Sequence, residues 1–164
     1  MTPRSSCSKH RPDPMNHRTI SLPAFTVVGI SLRTSNDRPQ EIGKLWQRFY
    51  AERSAAQIAH KKSENIYSLY LDYEGDHTKP YTLVIGCEVH DASSLPEGFE
   101  SRTVPAAKYA LIPANGRQPD SVIAAWQQIW SSDLARTYIG DFDLYASKGS
   151  GPSDQEVTIY VAVR

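Results

Sequence analysis

The chain of 164 residues has no run of 18 apolar residues, which excludes a membrane-spanning helix. It has two cysteines, Cys7 and Cys87, and neither sits in a CxxC or Cys/His cluster, so neither a disulfide framework nor a zinc site is spelled out. There is no GxxxxGK[ST], no GxGxxG and no GxSxG, and the "GSG" at Gly149 to Gly151 lies in a turn rather than opening a helix. The five histidines (His10, His17, His60, His77, His90) are scattered without ligand spacing and read as solvated surface groups. No metal and no cofactor is expected. The N-terminal stretch is basic but lacks an apolar core, so it is not a secretory signal. With unpaired thiols this points to a cytoplasmic location and no membrane association.

The net charge of zero is unevenly placed. Residues 1–18 hold Arg4, Lys9, Arg11 and Arg18 against Asp13, a surplus of +3, and are rich in Pro and Ser. That composition predicts a disordered or extended tail that contributes nothing to a core. The remainder, residues 19–164, is mildly acidic and reads as one domain, with no nucleic-acid partner expected of it.

What is present is a pattern written twice. "FTVVGISLR" from Phe25 reads as a strand, and Ile42, Leu45, Trp46 and Phe49 follow with the spacing of an amphipathic helix. "NIYSLYLDY" and "YTLVIGCEV" then form a predicted hairpin. After "HDASSLPEG" and an extra strand "FESRTV", the order returns. "KYALIPA" is a strand, and Val122, Ala125, Trp126 and Ile129 mark a helix that Asp120 or Ser121 is placed to cap. "DFDLYA" and "VTIYVAVR" are the last two strands. "LPAFTVVGI" matches "VPAAKYALI" at an offset of 82, "IGKLWQRFY" matches "VIAAWQQIW" at 80, and the hairpin strands match at 75. The sequence therefore predicts an α+β fold of duplicated strand–helix–strand–strand units, about 22–90 and about 99–164. They pair about a pseudo-twofold axis in a mostly antiparallel sheet with two main helices. The seam between the units is the natural place for a groove.

Aromatic side chains are the main chemical resource. Trp46 and Trp126 lie on the apolar faces of their helices and are expected in the core. Strand alternation puts Asp143 and Tyr145 on one face, and the repeat makes Ser68 and Tyr70 their counterparts. A carboxylate among tyrosines suits a flat apolar cation, which rings attract and the carboxylate balances. The pattern alone leaves Asp143 equally open to a solvated edge position.

"LPEGFE" followed by "VPAAKYA", then "AWQQIW", "DFDLY" and "VTIYVAVR", resembles the GyrI-like small-molecule-binding family, the effector-binding domain of multidrug-sensing bacterial regulators. The resemblance covers about residues 21–164. It implies an aromatic groove with a central acid that takes up lipophilic, often cationic, molecules. The family's glutamate falls on Asp143, one methylene shorter. The candidate ligand-binding residues are Asp143, Tyr145, Tyr70, Tyr67, Trp130, Tyr109 and Phe49, with no catalytic residue assigned. The resemblance implies a stand-alone binding protein, with a homodimer allowed. Its alternatives are a hydrolase of strained or reactive toxins, or a gyrase-inhibitor-like interaction module. Glu88 is the one further carboxylate considered for a catalytic role.

Overall fold

A computed structural model describes residues 17–114, 116–146 and 156–164. The strands are β1 (Arg18–Leu22), β2 (Phe25–Thr34), β3 (Ile66–Leu71), β4 (Tyr81–Val89), β5 (Glu100–Val104), β6 (Ala107–Pro113), β7 (Asp141–Ala146) and β8 (Glu156–Val163). The helices are α1 (Pro39–Ala51), the single turn α2 (Ser54–Gln57) and α3 (Asp120–Trp130). The strands make one antiparallel sheet in the order β1-β6-β8-β7-β3-β4-β2-β5. None of the helices among the described residues is long and apolar enough to cross a membrane.

The sheet order reads the same from either end once β1 is exchanged with β5, β2 with β6, β3 with β7 and β4 with β8. The offset of 82 carries the starts of β1 and β2 onto those of β5 and β6, and the offset of 75 carries β3 and β4 onto β7 and β8. The first strand of each unit leaves its own half. β1 pairs with β6 and β5 pairs with β2, so each unit closes the edge of the other. β1 was not foreseen as a strand, and Arg18, assigned to the tail, is its first residue. Its short and largely exposed "RTISL" carries little periodicity, and its pairing partner lies about 90 residues away. The expectations for residues 1–16 lie outside the described residues.

At the centre, β3 and β7 run antiparallel with Ser68 opposite Asp143. These two residues are also repeat equivalents, 75 positions apart. Equivalent residues that face each other across a strand pair lie on the twofold axis, so the pseudo-axis passes between Ser68 and Asp143.

Both long helices pack on the face that carries these two residues. Leu45 and Phe49 of α1 meet Ile30, Leu83 and Ile85, and Val122, Ala125 and Ile129 of α3 meet Ile112, Ile159 and Val161. Pro39 opens α1, where its missing N–H is harmless. α3 has no side-chain cap, contrary to expectation, because Ser121 Oγ donates to the Ala114 carbonyl instead.

The opposite face is buried without a helix. Phe25 on β2 and Phe142 on β7 are three strands apart, about 14 Å on a flat sheet. Their ring centroids lie 5.3 Å apart, so the sheet bends over its own second core. Gly29 and Gly86 face each other on β2 and β4, and a Cβ on either would meet partner backbone at 2.1 Å or 2.0 Å, respectively. Only glycine permits so close an approach of two strands.

Candidate ligand cavity

α1 and α3 stand on either side of the central β3–β7 pair and enclose a cavity of about 430 Å³, within the range typical of small-molecule sites. Its floor is Asp143, Tyr145 and Tyr70, whose side chains the pleat sends to the helix side. Trp46 comes from α1 and Trp126 from α3. Each tryptophan crosses the seam to meet the tyrosine of the other half. Trp46 meets Tyr145 edge-on at 5.1 Å and 68°, and Trp126 meets Tyr70 at 5.2 Å and 73°. This edge-to-face geometry places the positive edge of one ring on the negative face of the other.

Asp143 has no exposed surface. The Tyr70 hydroxyl donates to its Oδ2 at 2.5 Å, Trp126 Nε1 donates to its Oδ1 at 2.8 Å, and Ser68 Oγ donates to the Tyr70 hydroxyl at 3.3 Å. Burial pushes the carboxyl up to about 7 from its ordinary 3.8, against the two hydrogen bonds that lower it, and the Asp141 charge adds to the rise. The hydroxyls of Tyr70 and Tyr145 are held well above the usual tyrosine range, first by burial and then by the Asp143 charge.

A second buried acid is already balanced. Asp141 accepts from Arg136 Nη2 at 2.7 Å, from the Tyr73 hydroxyl at 2.6 Å and from the Ala162 amide at 2.8 Å. The Arg136 guanidinium reaches the cavity and lies 4.2 Å from the centre of the Tyr138 ring. At the rim, His77 from the β3–β4 loop stacks on Trp130 from the end of α3, with rings 5.2 Å apart and 7° from parallel. The Asn36 side chain donates to the His77 carbonyl and accepts from the Tyr81 hydroxyl, which fixes that loop to the wall.

Four of the seven candidate residues, Asp143, Tyr145, Tyr70 and Trp130, line this cavity. Tyr67, Tyr109 and Phe49 do not. Tyr67 and Tyr109 point into the second core on the opposite face, as the odd positions of β3 and β6 must. Phe49 is 1% exposed and packs under α1. Trp46 and Trp126, expected as plain core, are cavity wall, although Trp126 is also 8% exposed and thus buried. His77, read as solvated, is at the rim. Glu88 lies away from the cavity, accepting from the Tyr67 hydroxyl and pairing with Lys62.

The sequence pattern of the Cass2 family, described as integron-associated effector binding protein, matches residues 18–163. The chain belongs to this family. Its members share the GyrI-like small-molecule-binding fold, and the family assignment supports small-molecule binding here. The YobU protein of Bacillus subtilis is 31% identical over 145 residues, covering 84% of this chain and 91% of YobU. The crystal structure of the integron cassette protein Cass2 from the mobile metagenome of Vibrio cholerae superposes with a TM-score of 0.74 at 29% identity, covering 90% of this chain and 95% of that one. SAV2435, solved bound to tetraphenylphosphonium, shares the fold with a TM-score of 0.75 at 21% identity, covering 92% and 94% of the two chains.

Several wall residues of this Cass2-family cavity were missed in the sequence. Ile42 and Val122 read in the sequence as core positions of their helices, and Tyr73, Tyr81 and Arg136 carry no signal there. The doubled helix motif was the available clue. Pro39 and Pro119, Ile42 and Val122, and Gly43 and Ile123 are repeat equivalents, and all six line the cavity.

Proposed function

We propose that this protein binds lipophilic cations in the cavity between α1 and α3, with Asp143 as the counter-charge and Trp46, Trp126, Tyr70 and Tyr145 as the aromatic surface. The observation that carries this reading is a carboxylate buried in the cavity wall without a cationic partner among the described residues. Arg136, the wall's own cation, is matched by Asp141. Asp143 acts through the two rings that donate to it. A tyrosine or indole donating to an anion gains electron density on its face, which strengthens its attraction for a cation. The tetraphenylphosphonium held by SAV2435, a neighbour in fold, is a ligand of this chemistry and supports the reading.

The expected pH dependence follows from the Asp143 carboxyl near 7. Above that value it is charged and attracts the cation, and below it is neutral and does not. Affinity for tetraphenylphosphonium should fall as pH falls through about 7, by roughly tenfold between pH 8 and pH 6. Fluorescence titration of the wall tryptophans across this range measures it, and a flat profile would count against the electrostatic role.

The hydrolase alternative rests on the same carboxyl, since a value near 7 suits a general acid or base. Asp143 is the sole carboxylate among the described lining residues, so a two-carboxylate mechanism has no second acid there. Turnover of a strained electrophile that is lost in Asp143→Asn with binding intact would move the assignment to an enzyme.

A further inference from the structure

Ten of the 18 lining residues of the cavity form five repeat pairs. Trp46 and Trp126, Ile42 and Val122, and Tyr70 and Tyr145 are repeat equivalents that all line it. The two Trp–Tyr contacts across the seam agree within 0.1 Å and 5°. The pseudo-twofold axis passes through the floor between Ser68 and Asp143, and Asp143 is the residue that breaks the symmetry there. The charge of the site therefore lies on the axis, and equivalent aromatic walls lie on both sides of it.

We propose that the cavity selects cations whose charge lies midway between two aromatic arms, the charged centre over the Ser68–Asp143 pair and one arm against each half of the wall. This rests on the reading of the cavity as a cation site and adds the shape of its ligand. A cation with its charge at one end has to choose. It either leaves one wall empty or moves its charge off the axis, where the greater distance weakens the attraction to Asp143. The arms need not be identical. Gly43 stands where the second half has Ile123, and a Cβ at Gly43 would touch nothing within 4 Å, so the first-half side is the wider.

The test uses two phosphonium ions of equal charge and equal ring number. Diphenyldimethylphosphonium carries its charge between its rings, and biphenyl-4-yl-trimethylphosphonium carries it at one end. By calorimetry at pH 8, the first should bind at least about tenfold more tightly, the gain from placing a second ring against a matching wall. Equal or reversed affinities that both fall in Asp143→Asn would overturn the two-armed selection and leave the cation site standing. Affinities that ignore Asp143→Asn, or no binding of either ion, would overturn both. Trp46→Leu provides a second readout. It should weaken diphenyldimethylphosphonium by about tenfold but one-armed phenyltrimethylphosphonium by no more than about twofold, because a single ring can turn to the intact wall. Equal losses for the two ions would overturn the proposal.

Discussion

Asp143→Asn is expected to weaken tetraphenylphosphonium by about 1–3 kcal/mol, the scale of losing a charged partner. The same change should make the ligand-free protein more stable at pH 8. The asparagine keeps the side-chain shape and can still accept from Trp126 Nε1. What disappears is a buried charge and the acceptor of the Tyr70 hydroxyl, which turns to accept from the asparagine amide. The folded value of about 7 lies above the ordinary 3.8, so between the two the folded protein binds more protons than the unfolded chain. The stability contributed by protonated Asp143 is therefore complete near pH 4, is lost as pH rises through about 7, and stays lost above it. The variant escapes that loss. Its melting temperature should exceed that of wild type at pH 8, and the difference should close toward pH 4. A neutral ligand of similar shape should lose little affinity. A variant less stable at pH 8 with unchanged cation affinity would assign Asp143 a purely structural role.

Trp126→Ala should cost about 3–5 kcal/mol in unfolding free energy, the usual range for removing a large buried aromatic. Trp46→Ala should cost roughly half of that. The sequence treats the two as equivalents, yet only Trp126 is buried. It packs with Ala125 and Ile129 against β6 and β8 and donates to Asp143, whereas Trp46 is half-buried and stacks on exposed Tyr50. Trp126→Ala also leaves Asp143 Oδ1 without a donor, which pushes the carboxyl higher still. Trp126→Phe retains most of the packing and isolates that hydrogen bond. Denaturant unfolding of the three variants checks the order, and equal costs for Trp46→Ala and Trp126→Ala would contradict it.

The duplication was legible because the register of a repeat survives as offsets in the sequence. The offsets of 82 and 75 locate every strand pair, including β1 and β5. β1 itself was missed, since its apolar alternation amounts to two residues, Ile20 and Leu22, and the strand is held by a distant partner. Asp143, Tyr145 and Tyr70 were placed together by strand alternation alone. Tyr67 and Tyr109 were assigned to the same site although alternation sends them to the other face, because a bend that buries the helix-free face is invisible in the pattern. The two tryptophans show the remaining difficulty. A helix face that packs on a sheet and one that lines a cavity share the same spacing, and only the separation of α1 from α3 decides between them. Arg136 and Asp141 were beyond reach, since their pairing depends on an irregular segment after α3.

Calorimetric titration of tetraphenylphosphonium at pH 7, in buffers of different ionisation enthalpy, counts the protons exchanged on binding. With the Asp143 carboxyl near 7, about half of the free protein carries a proton there that a bound cation expels. Release of about half a proton per cation bound is expected, falling to none in Asp143→Asn. Binding without proton release, at the same affinity in wild type and variant, would contradict it.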